Sequence, residues 1–84
     1  MNQINSIPEI TVYGADWCPD CRRAKRLLDE RKVSYQWVDI ETNRAGEKFV
    51  LETNHGSRTI PTIVFGDGSI LVEPSNPQLI AKLG

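Results

Sequence analysis

Cysteine is scarce in this sequence, and that scarcity is its first constraint. Only two of the 84 residues are cysteines, Cys18 and Cys21, three positions apart. Disulfide-stapled secreted domains usually carry four or more, widely spaced. A bridge between two residues so close closes a tiny loop and restricts the unfolded chain little. The pair is therefore a poor staple. Histidine is scarcer still, with His55 alone. A structural zinc site takes four Cys or His ligands, and this chain falls short of a set, so no bound metal is expected. Long apolar runs are missing, and none approaches the roughly 18 residues of a membrane span. Neither sign of charge dominates: ten basic and eleven acidic residues leave a net charge of −1. That balance offers no footprint for nucleic acid or anionic lipid. The opening Met1 to Ser6 lacks the basic cluster and apolar core of a secretory signal, which makes the cytoplasm the expected compartment. Repeats, low-complexity stretches and long linkers are absent too. Residues 1–84 read as a single domain, expected to act as a monomer.

What is present is a regular alternation of element signals. Glu9 to Tyr13 alternates and is rich in β-formers, and Gly14 ends it. From Pro19 to about Arg31 the pattern is helical: Cys21, Ala24, Leu27 and Leu28 share one face, and Arg22, Arg23, Lys25, Arg26 and Asp29 lie off it. Pro19 suits the first helical position, which puts Cys18 at the N-cap. Ser34 to Ile40 reads as a second strand. Thr42 or Asn43 caps a second helix running to about Asn54, with Ala45, Phe49 and Leu51 or Glu52 on its inner side and Gly56 as its stop. Thr62 to Phe65 is an apolar run suited to a buried strand. Gly66-Asp67-Gly68 signals a hairpin, with Ser69 to Glu73 as the return strand. Asn76 as N-cap and Pro77 open a last helix buried through Leu79, Ile80 and Leu83. The order β-α-β-α-β-β-α implies an α/β fold with a four-stranded mixed sheet flanked by helices. Its first two strands are parallel and its hairpin strands antiparallel. The order of strands across the sheet does not follow from the pattern.

The chemistry concentrates at Cys18-Pro19-Asp20-Cys21. Cys18 stands where a strand gives way to a helix, so free backbone N–H groups and the helix dipole favour a negative sulfur there. Cys21 is one turn on, within reach of a disulfide. A thiolate so placed attacks a disulfide, and the second thiol resolves the mixed disulfide that forms. Asp20 opposes a thiolate, whereas Arg22 and Arg23 favour one.

Trp17-Cys18-Pro19-Asp20-Cys21, Arg58-Thr59-Ile60-Pro61-Thr62 and Gly66-Asp67-Gly68-Ser69, in this order and spacing, resemble the glutaredoxins, which have a thioredoxin-like fold. The likeness spans about residues 9 to 83 and is strongest to the actinobacterial mycoredoxins. It implies a thiol–disulfide oxidoreductase with Cys18 as the exposed attacking thiol and Cys21 as the more buried resolving one. It also implies a cis Ile60-Pro61 bond that sets the Ile60 backbone beside the substrate. Trp17, Pro19, Arg58, Thr59, Ile60, Pro61, Ser75 and Asn76 then become the candidate substrate-binding residues. The expected clients are mixed disulfides or disulfide-containing proteins, with no prosthetic group.

Two departures from the glutathione-using members bear on the co-substrate. Those proteins usually carry a Lys a few residues before the first Cys, where this chain has Gly14-Ala15-Asp16. They also carry a Gly-Gly pair and an acidic dipeptide before the last helix, where this chain has Val72-Glu73-Pro74-Ser75-Asn76. Both favour mycothiol, which lacks glutathione's carboxylates, as the small-thiol co-substrate. Two other readings remain. One is a thioredoxin-like electron donor recharged by a flavin disulfide reductase, although the aromatic-rich stretch of such redoxins is missing. The other is an iron–sulfur cluster carrier shared between two chains, against which Pro19 counts.

Overall fold

The computed structural model describes residues 9–84, so Met1 to Ser6, read above for a signal, lies outside the described residues. The elements are β1 (Thr11–Gly14), α1 (Pro19–Glu30), β2 (Gln36–Asp39), α2 (Arg44–Thr53), β3 (Thr62–Val64), β4 (Ile70–Val72) and α3 (Asn76–Leu83). The sheet runs β2-β1-β3-β4; β1 and β2 are parallel, and β1–β3 and β3–β4 are antiparallel. The sequence pattern anticipates the element order and both pairing senses. It does not reach the central placement of β1 beside β3, a contact between segments some fifty residues apart.

Strand alternation assigns the two faces. Val12 and Ile63 are register partners, and both are fully buried in a cluster with Ala24 and Leu28 of α1 and Leu79 of α3. The next pair, Tyr13 and Thr62, turns to the other side. There Tyr13 stacks on Phe49 of α2 with ring centroids 4.7 Å apart. Helices α1 and α3 therefore cover one face and α2 the other. Among the described residues, no helix is long and apolar enough to cross a membrane.

Several local expectations need correction. Ser75, not Asn76, caps α3: its hydroxyl accepts from the Gln78 N–H at 3.2 Å, and the Gln78 side chain accepts from the Ser75 N–H at 2.8 Å. This reciprocal box satisfies two helix-end donors at once, which a lone Asn76 cap would not do. Asn76 becomes the first helical residue. Ile80 is exposed, because Leu79 alone of the three apolar positions turns fully inward. On α2 the buried residues are Gly46 and Val50, while Ala45 is exposed. Gly46 is needed there, since a Cβ would stand 2.6 Å from a Val38 methyl. Of the two expected caps for α2, Asn43 is the one used, accepting from the Gly46 N–H at 2.8 Å. Helix α1 closes with Lys32 in the left-handed region, at φ 59, where a glycine would be usual.

Candidate active site

The end of β1 delivers the chain to the cysteine pair. Cys18 has extended backbone angles and is the N-cap of α1, with Pro19 following at the start of the helix. Its Sγ accepts the Cys21 N–H at 3.2 Å, so a helix-end donor lies against the sulfur. This inward turn leaves Cys18 only 5% exposed, against the expectation of an exposed thiol. It lines a groove that is open to solvent. Cys21 has no exposure at all. Burial, a hydrogen bond with Cys18 and the neighbouring Cys18 charge push its thiol up to about 12, despite an opposing backbone hydrogen bond from Ala15 and the charge of Lys25. The two thiols are free, and their environments differ. Cys21 keeps its proton at neutral pH.

The groove has a volume of about 550 Å³ and is lined by Trp17, Cys18, Pro19, Asp20, Ser57, Arg58, Thr59, Ile60 and Glu73. A slightly larger depression of about 610 Å³ lies along Asp29 to Tyr35 and holds no cysteine. Two walls meet over Cys18. The first is the Trp17–Asp20 turn. The second is the loop before β3, where the Ile60-Pro61 bond is cis. Behind that loop, the buried Thr62 hydroxyl donates to the Thr59 carbonyl at 2.9 Å and accepts from Asn54 Nδ2 at 3.1 Å. The end of α2 is thus tied to the loop. Pro61 is fully buried behind Ile60, and its carbonyl accepts the Glu73 N–H at 2.8 Å.

Of the candidate substrate-binding residues, Trp17, Pro19, Arg58, Thr59 and Ile60 line the groove, and Pro61 supports it from behind. Ser75 and Asn76 do not line it. Ser75 is engaged in its cap, and Asn76 Oδ1 accepts from Arg23 Nη1 at 2.7 Å. Arg23 also donates to the Pro74 carbonyl and to Asp20, while Arg22 reaches the Asp16 carbonyl. Both arginines are therefore engaged with neighbouring backbone and side chains. Sequence reasoning did not assign Ser57, Asp20 or Glu73 to the groove. Glu73 had a signal in the departure from Gly-Gly: it occupies a left-handed backbone position, at φ 48, of the kind glycine favours.

The groove's one arginine is already paired. Arg58 Nε donates to Glu47 Oε2 and its Nη2 to Glu41 Oε2, each at 2.8 Å. Arg58 is so occupied and Asp20 is itself paired with Arg23 at 3.3 Å, while Glu73 adds a further carboxylate to the groove's lining. Asp16, just outside it, is 79% exposed and stands 3.9 Å from Lys25.

A thiol pair at a strand–helix junction, facing a cis-proline loop on a four-stranded sheet, defines a thioredoxin-like redox protein. The glutaredoxin family model matches residues 10–70, and the chain belongs to that family. It is 46% identical over 74 residues, 88% of each chain, to Rv3198A of Mycobacterium tuberculosis, named as a candidate glutaredoxin. It is 32% identical over 74 residues to mycoredoxin 1 of Corynebacterium glutamicum, covering 88% of this chain and 91% of that one. The fold matches a single-residue mutant of the thioredoxin-like protein BC3987 with a TM-score of 0.75 and 28% identity, over 89% of this chain and 99% of the other. The protein is a thiol–disulfide oxidoreductase of the kind that works with a small-thiol co-substrate on disulfide clients.

Proposed function

We propose that this protein reduces mixed disulfides between client proteins and a small thiol, and that the thiol is mycothiol in preference to glutathione. The Cys18 thiolate attacks the small-thiol sulfur of the mixed disulfide. The client leaves as a thiolate and takes up a proton, and Cys18 is now bonded to the small thiol. A second small-thiol molecule, as its thiolate, then attacks that sulfur. It forms a symmetric small-thiol disulfide and returns Cys18 to the thiolate. With a protein disulfide as client, Cys21 instead gives up its proton and attacks Cys18 Sγ, leaving a Cys18–Cys21 disulfide and a reduced client. Bonding of Cys18 to a partner removes its charge, one of the causes holding the Cys21 proton in place. The second step is thereby linked to the first.

The observation that carries the preference is the groove's charge: Glu73 lines it, Asp20 in the same lining is shared with Arg23, and its arginine is held by two other carboxylates. Glutathione brings two carboxylates to such a site. Mycothiol brings hydroxyl and amide groups, which hydrogen-bond to carboxylates without repulsion. The likeness to a mycoredoxin supports the same choice. Ile60 contributes its backbone to the substrate, with Trp17, Pro19 and Thr59 around it. The small thiol, rather than a flavin reductase, recharges the protein, and the cytoplasm is where it works.

Steady-state reduction of one model peptide carrying either thiol as a mixed disulfide tests this reading. The mycothiol adduct should be the better substrate by kcat/KM, and Glu73→Gln should narrow the gap by improving the glutathione adduct. A wild-type protein that prefers the glutathione adduct, or a Glu73→Gln variant with unchanged selectivity, would count against it.

A further inference from the structure

We infer that Glu41, which stands outside the groove on the segment after β2, is a positioning residue that ties the groove's two walls together. A single carboxylate oxygen does this. Glu41 Oε2 accepts the Trp17 indole N–H at 3.3 Å and the Arg58 Nη2 at 2.8 Å. Trp17 belongs to the turn that presents Cys18, and Arg58 to the loop that presents Ile60. Trp17 is 60% exposed and so has little packing of its own to hold it. Glu47 of α2 closes the arrangement on Arg58 Nε, so the guanidinium is fixed along two edges in the fork geometry that suits arginine.

The carboxylate is suited to the task by its charge. Its hydrogen bonds from Arg58 and Trp17 hold Glu41 below the usual carboxylate range, so it stays ionised throughout neutral pH. Glu41 touches neither sulfur, and its effect on the reaction passes through Trp17 and Arg58. Loss of the tie leaves Cys18 and its helix N-terminus untouched but lets both walls move. The cost falls on substrate binding rather than on the exchange step. An exposed ion pair is worth little, so KM should rise about threefold to fivefold, with kcat held within about twofold.

Glu41→Gln and Glu41→Ala test this, with Arg58→Met as the matching change across the tie. The Trp17 indole N–H resonance, assigned by its loss in Trp17→Phe, should shift in both Glu41 variants. Glu41→Asp should restore part of it. The Glu41→Ala/Arg58→Met double variant should raise KM no further than the larger single change. An indole resonance unmoved by Glu41→Ala overturns the inference, as does a fall in kcat at constant KM. So do additive effects of Glu41→Ala and Arg58→Met. The indole signal is read without any substrate, so it tests the tie even if the preferred small thiol proves to be a different one.

Discussion

Gly14 is where the fold and the redox pair press hardest on each other. A Cβ at this position would stand 2.5 Å from Cys21 Sγ and 2.8 and 3.0 Å from two carbons of the Trp37 ring. Neither neighbour can retreat easily: Cys21 is wholly buried, and Trp37 lies under Lys25, whose Nζ is 3.6 Å from its ring centroid. Overpacking of this kind typically costs about 1–3 kcal/mol. A domain of this size loses about 4–8 °C of Tm per kcal/mol, so Gly14→Ala should lower Tm by about 8–16 °C for a cost near 2 kcal/mol. The contact with Cys21 can be isolated. Cys21→Ala removes Sγ but leaves Trp37 in place, so Gly14→Ala should cost about 1 kcal/mol less in that background, a coupling typical of touching residues. Urea unfolding of the four proteins by far-ultraviolet circular dichroism, under reducing conditions, gives each term. A Tm loss under about 2 °C for Gly14→Ala, or additivity of the two changes within about 0.5 kcal/mol, would refute the reasoning.

The Cys21 thiol makes stability depend on alkaline pH. Its proton is held to about 12 in the fold against an ordinary 9.0, so above pH 9 the unfolded chain sheds a proton that the native protein keeps. Stability should therefore fall as pH rises through that window, and Tyr35, raised by burial and by Asp29, adds in the same direction. Urea midpoints between pH 8 and 11 should show a shallower decline for Cys21→Ala, and an unchanged slope would contradict the assignment. At α3, Ser75→Ala should cost about 1 kcal/mol through its lost cap. Asn76→Ala should cost less, since it spares the cap and forfeits one contact with Arg23; the reverse order by urea unfolding would return the cap to Asn76.

Most of the fold was legible because the chain writes it locally. The Pro19 start, the alternation into β1, the Gly66-Asp67-Gly68 turn and the apolar periodicity of α1 are short-range signals, and each matches its element. One misreading is local, and the others occur where distant neighbours decide. Asn76 and Ser75 are both good capping residues, and Gln78 three positions beyond Ser75 selects between them. Ile80 and Leu79 are equally apolar, and only the approach of α3 to α1 and the sheet sends Leu79 inward. At the site, the cysteine pair and the Thr59 to Pro61 loop could be found from motifs. The pairing of Arg58 with Glu41 and Glu47 could not, because it joins residues 17 and 11 positions apart across three elements. That pairing turns a candidate substrate cation into part of the wall.

The measurement closest to the central claim is intact mass spectrometry of Cys21→Ser protein offered equal concentrations of mycothiol and glutathione mixed disulfides. The protein should gain one adduct, on Cys18, with the mycothiol adduct forming faster, and a Cys18→Ser/Cys21→Ser control should gain none. Failure of Cys18 to form any adduct would contradict its role as the nucleophile. A glutathione adduct forming as fast or faster would contradict a groove whose acidic lining selects the small thiol.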